Sequence, residues 1–150
     1  MLRLSKLTDY GTAILSFMAR NPEQSYSAAE VAQTVGVGVS TASKILKMVA
    51  RKDLVQSIRG THGGYRLARA PDEISLAEVV EAMEGPIGIT ECGRRAGLCA
   101  REDGCRVRGN WQRLGLAIRR TLDGVSLADM ARPEMDPEAV DGNRSRHRAP

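Results

Sequence analysis

Three cysteines, Cys92, Cys99 and Cys105, fall in one stretch, ECGRRAGLCAREDGC, and they are the only cysteines among the 150 residues. Thiolates are nucleophiles and soft metal ligands, and the nearby Arg94, Arg95, Arg101, Arg106 and Arg108 would help to offset the negative charge of a thiolate-ligated group. The N-terminal residues lack a signal-like apolar run, and nowhere do about 18 apolar residues occur together, so a cytosolic protein with no membrane partner is expected. In that reducing setting an odd, clustered set of cysteines points to metal binding or thiol chemistry rather than to a disulfide framework. The spacing C-x6-C-x5-C is wider than the short knuckles of structural zinc, and the two histidines, His62 and His147, lie far off in the sequence. A thiol enzyme needs a base beside its nucleophile, and no Ser-His-Asp, C-x-x-C or phosphate-loop pattern occurs, so no enzyme is expected. Three thiolates on a glycine-containing loop suit an iron–sulfur cluster, which takes four ligands. A zinc-bound or thiol-redox protein is the competing reading, and incidental cysteines in an arginine-rich loop are the bland one.

Such a loop needs a scaffold, and the flanking sequence predicts a helical one. One Phe, one Trp and three Tyr leave the core to aliphatic residues and Met. Thr8, followed by Asp9, predicts the N-cap of a first helix with Tyr10, Ile14, Phe17 and Met18 as its apolar stripe, ended by Asn21-Pro22. Ser27-Ala28-Ala29-Glu30 is a capping box for a second helix that Gly36 closes. From Ser40 onward, Ala42, Ile45, Leu46 and Val49 recur at helical spacing while Lys44, Lys47 and Arg51 take another face. LVQSIRGTHGGYRL, residues 54–67, then reads as a hairpin with glycines at its bend. Ser75-Leu76-Ala77-Glu78 is a second capping box, its helix closed by Gly85-Pro86, and Ser126 opens a further turn.

The fold class is therefore mainly α with a small β-hairpin wing, a winged helix-turn-helix followed by a long helix. The long helix carries Val107, Trp111, Leu114, Ile118 and Leu122 as an apolar stripe with little of its own chain left to cover, which predicts a homodimer with Trp111, Leu114, Ile118 and Leu122 in the seam. The expected organisation is a DNA-binding domain over residues 1–84 and a cysteine loop over 85–106. A dimerisation helix with a short cap helix occupies 107–132, and a disordered tail 133–150.

Charge is distributed to match. The net charge is +4, and residues 38–69 hold seven cations against a single carboxylate, Asp53. A basic helix-turn-helix with a basic wing predicts binding to a double-stranded DNA operator rather than a merely solvated face. Lys44, Lys47 and Arg51 are candidates for phosphates or guanine edges, and Ser40, Thr41 and Ser43 for contacts near the helix N-terminus. Arg59 is the candidate for the minor groove. His62, a polar residue of the hairpin bend, stands with it on the wing.

Taken together, RLSKLTDYG at the N-terminus, LVQSIRGTHGGYRLA at the wing, the capping box before EVVEAMEGP and the three cysteines ahead of a long helix resemble the Rrf-type family of bacterial transcription regulators. The family has IscR-, NsrR- and RirA-type branches, and the resemblance spans about residues 1–130. It implies a homodimeric winged-helix repressor whose iron–sulfur cluster, held by Cys92, Cys99 and Cys105, biases DNA binding. It also implies targets among cluster-assembly genes of the SUF or ISC type, with nitric oxide or iron limitation as the alternative signal. The IscR-type branch supplies a histidine three residues after the third cysteine, where this chain has Arg108, which cannot ligate iron. The nitric-oxide-sensing branch instead takes an aspartate from the partner subunit's first helix, and Asp9 stands at that position. The resemblance thus favours a 4Fe-4S over a 2Fe-2S cluster, with Asp9 of the partner subunit as the fourth ligand and Glu91 next in line.

Overall fold

Ser5, not Thr8, opens the first helix. In the computed structural model, which describes residues 3–134, α1 spans Lys6–Ala19 and the Ser5 hydroxyl accepts the Thr8 N–H at 3.2 Å. Both residue types cap well, so the choice falls to tertiary context. Thr8 is fully buried and donates its hydroxyl to Glu84, a partner 76 residues away. Asp9 still lies in the first turn, one residue past the buried threonine.

The other expected caps form where the sequence places them. Ser27 and Glu30 close a reciprocal box at the start of α2, Ala28–Val35, and Gly36 ends that helix in the left-handed region at φ 77°. α3, Val39–Ala50, follows after a short turn and buries Ala42, Ile45, Leu46 and Val49. Two strands, β1 at Val55–Ile58 and β2 at Gly64–Leu67, pair antiparallel with Val55 opposite Leu67 and Ile58 opposite Gly64. Tyr26 exchanges backbone hydrogen bonds of 2.9 and 2.8 Å with Tyr65, stitching the hairpin to the loop between α1 and α2. A Cβ on Gly64 would lie 2.4 Å from the Tyr26 carbonyl oxygen, so that seam requires glycine.

After a 3-10 turn at Pro71–Glu73, α4 spans Leu76–Glu84 behind the Ser75–Glu78 capping box. α5, Glu91–Arg94, is a single turn, and the long helix α6 runs Arg108–Gly124. α7, Leu127–Met130, returns to the winged helix: Leu76 N–H donates to the Val125 carbonyl and Leu127 N–H to the Ile74 carbonyl, each at 2.8 Å. Leu127 is fully buried beside Ile14, Leu15, Ile45 and Leu46 in a single apolar cluster. A side chain of that size adds about 1.5–3 kcal/mol on burial, so the last helix contributes to the same core as the first. The expected tail of residues 133–150 lies, from residue 135 onward, outside the described residues. No helix among the described residues is long and apolar enough to cross a membrane.

Candidate nucleic-acid interface and cysteine segment

α3 turns its apolar side to the core and leaves Ser40, Lys44, Lys47 and Arg51 exposed, with Thr41 and Ser43 half-buried along the same helix. Gly38 at the N-cap offers no side-chain acceptor. The N-terminal N–H groups of a helix left in that way, together with its dipole, suit an anion such as a phosphate.

The wing is built around close backbone packing. Gly63 N–H donates to the Gly60 carbonyl at 2.9 Å, the Ser25 hydroxyl donates to the His62 carbonyl at 3.1 Å, and the side chains of Arg59 and His62 remain exposed. The local positive charge is less free than a count suggests. Arg69 is paired with Glu78 at 2.7 Å and Arg66 lies 3.9 Å from Glu23. Lys44, Lys47, Arg51, Lys52 and Arg59 form no ion pair with a carboxylate among the described residues, so the available cations sit on α3, just after it and on the wing. Both partner carboxylates, Glu23 and Glu78, lie outside residues 38–69, beyond the reach of a local charge balance.

α6 offers two kinds of surface. One edge docks on its own chain: Arg119 donates to Glu81 of α4 at 3.0 Å and to Asp123 at 3.1 Å, and Gly115, the buried residue of the helix, sits against Gly88. Glu81 holds the Arg119 pKa above its ordinary range through that hydrogen bond. The rest is open: Leu114 is 51% exposed and Trp111 37%. Ile118 and Leu122 are half-buried and line a cleft of about 320 Å³ with Leu4, Ile87 and Ile89. The predicted stripe therefore divides between an intrachain cleft and an uncovered apolar face.

The cysteine segment is anchored through the turn that carries Cys92. Cys92 is buried in α5, its Sγ 3.2 Å from the Thr90 hydroxyl and its carbonyl accepting the Gln112 amide at 3.4 Å. Cys99 and Cys105 are half-buried beyond it, and all three thiols are free. Three free thiols in one segment are the kind of donor an iron–sulfur cluster takes, and they would leave one of its four positions to another ligand. Within the single chain they are not gathered: among the described residues no three His, Cys, Asp or Glu side chains converge on a common metal position. Asp9 and Glu91 are both exposed, Asp9 on the first turn of α1 and Glu91 at the start of α5. Arg94 does not stand free beside the thiols, because its guanidinium donates to the Glu84 carbonyl at 2.8 Å.

Comparison with known proteins places these features. The family model Rrf2, described as an iron-dependent transcriptional regulator, matches residues 4–133. The HTH-type transcriptional regulator IscR of Aliivibrio salmonicida is 31% identical over 129 residues, covering 83% of this chain and 76% of the relative. The HTH-type transcriptional regulator NsrR of Shouchella clausii is 28% identical over 141 residues, covering 93% and 95%. Among solved structures, CymR, the global cysteine regulator of B. subtilis, superposes with a TM-score of 0.67 at 30% identity, covering 87% of this chain and 97% of that one.

Proposed function

Since this chain belongs to the Rrf2 family of DNA-binding transcriptional regulators, we propose that it is a cytoplasmic, homodimeric repressor whose operator affinity is set by an iron–sulfur cluster. The observation that carries this reading is the segment with three free thiols, one buried and two half-buried, appended to a winged helix with an unpaired cationic face. Cys92, Cys99 and Cys105 would hold a cluster, 4Fe-4S in preference to 2Fe-2S, and Asp9 of the partner subunit would supply the fourth donor. Its target genes would be those of cluster assembly, of the SUF or ISC type, and nitric oxide or iron limitation is the alternative signal.

The protein's own part is linkage. For cluster loss to change DNA affinity, the cluster must bind the DNA-competent arrangement more tightly than the other. The exposed face of α6 would join the subunits through Trp111 and Leu114, with Ile118 and Leu122 at its edge, and so fix the distance between two copies of α3. Arg59 and His62 on each wing would flank them. Anaerobic purification tests the reading: a brown dimer containing iron and sulfide is expected. A colourless protein with stoichiometric zinc, or with thiols that only oxidise, would replace this reading with a zinc-bound or thiol-redox regulator.

A further inference from the structure

We infer that Glu84 is the positioning residue that ties the cysteine segment to the N-terminal turn of α1, and that Arg94 is the handle by which the segment pulls on it. Glu84 ends α4 and faces two ways. Its carboxylate accepts the Ser5 N–H at 2.9 Å and the buried Thr8 hydroxyl, so it completes the cap of α1 from outside the helix. Its main-chain carbonyl accepts the Arg94 guanidinium, and Arg94 follows Cys92 by two residues in the same helical turn.

The backbone around this link leaves little slack. A Cβ on Gly88 would lie 2.6 Å from both the Arg94 nitrogen and the Gly93 carbonyl carbon, so the loop leaving α4 and the turn carrying Cys92 touch main chain to main chain. Gly85 turns that loop at φ 84°, and a Cβ there would stand 3.8 Å from the Arg94 guanidinium. Displacing α5 must therefore displace Glu84 or break its bond to Arg94. Either event loosens the cap that holds Ser5 and Thr8 immediately before Asp9. Hydrogen bonds from Ser5 and Thr8 also keep the Glu84 carboxyl below its ordinary range, so the capping oxygen is charged at neutral pH.

The link deepens the cluster reading proposed above and rests on it for the signal that moves α5. It does not duplicate a ligand: neither Glu84 nor Arg94 needs to touch a metal. Its role is to make the state of the cysteine segment felt at α1, which packs against the helices of the DNA-binding unit.

The test uses the full-length dimer, prepared anaerobically, as parent, Arg94→Ala, Glu84→Ala, Glu84→Gln and the double Ala variant. Operator affinity is measured with and without cluster. Hydrogen exchange of the Thr8 and Asp9 amides is measured in the cluster-free protein. Arg94→Ala and Glu84→Ala should retain the visible absorption of the cluster while the ratio of the two operator affinities shrinks several-fold toward one. The double variant should be no worse than the more affected single variant, and Glu84→Gln should keep more of the ratio than Glu84→Ala. In Arg94→Ala, where the exposed side chain is removed without cost to the core, exchange at Thr8 and Asp9 should rise by about threefold to tenfold. A ratio equal to the parent's in Arg94→Ala overturns the inference. If the parent carries no cluster, or shows one affinity in both states, the proposed function has failed instead. The exchange measurement then decides the link alone, with unchanged rates at Thr8 and Asp9 counting against it.

Discussion

The winged helix and the cysteine segment lie side by side in one chain and are held together by different physics. In the winged helix and the α7 turn packed on it, the helices that begin at Lys6, Ala28, Leu76 and Leu127 each have a serine side chain capping them, and one apolar cluster joins Ile14 and Leu127 to Ile45 and Leu46 of α3, all fully buried. Residues 86–107 have two short turns, Glu91–Arg94 and Glu102–Gly104, and Cys92 as their buried hydrophobic residue. The first region carries its stabilising contacts within itself. The second is anchored by Arg94 and Gln112 and leaves Cys99 and Cys105 half-exposed, the arrangement expected of a segment completed by something it binds.

The contrast can be broken most severely in the core. Leu127→Ala should cost about 2–5 kcal/mol in a denaturant titration, because it empties a site at the centre of the cluster. Replacing Cys92, Cys99 and Cys105 together with Ala should leave the far-ultraviolet circular dichroism nearly unchanged and move the unfolding midpoint far less. Comparable losses from the two variants would erase the distinction. Next in size is the uncovered face of α6. Leu114→Glu places a charge on a residue already half-exposed in the single chain, so the fold should survive while association weakens by about 2–4 kcal/mol, read by sedimentation equilibrium. A variant that stays fully dimeric would put the seam on another surface.

Smaller effects sharpen the same contrast. Lys47→Ala should reduce the slope of log affinity against log salt by about one unit, and Arg59→Ala should weaken operator binding more than binding to random duplex. Equal losses on both duplexes would remove Arg59 from sequence reading. The smallest effect is electrostatic. Hydrogen bonds from Ser5 and Thr8 hold Glu84 below the ordinary value of 4.5. At Glu78 burial acts upward but is outweighed by the Ser75 backbone N–H and by Arg69. Carboxyls depressed on folding contribute stability that is complete above their unfolded value and is lost as pH falls through their folded value. The thermal midpoint should therefore drop on acidification below about pH 4.5, and Glu84→Gln should flatten that drop.

These differences also explain what could be read from sequence. The capping boxes at Ser27 and Ser75 were legible because each is complete within four residues, and the core face of α3 because its period is local. Thr8 reads as a cap in the sequence because the residue that claims its hydroxyl, Glu84, lies 76 positions away. The apolar stripe of α6 was visible, but its docking through Arg119 on Glu81 was not, since that pair is 38 residues apart and looks like two ordinary surface charges. The cysteines announced themselves by composition. Their spacing along the chain carries no record of how they converge, and in the function proposed here that convergence depends on a cluster and a second subunit.

In the proposed function cluster state sets DNA affinity, and a parallel titration tests that coupling. Genomic fragments selected by the anaerobically purified protein supply a duplex. That duplex is titrated in parallel with cluster-loaded dimer and with dimer from which the cluster has been removed, at one salt concentration. Affinities that differ by about tenfold or more, equivalent to a coupling of about 1.4 kcal/mol, are expected, with the difference vanishing in the triple cysteine variant. Equal affinities for the two forms, with the cluster verified by its iron and sulfide content, would rule that coupling out.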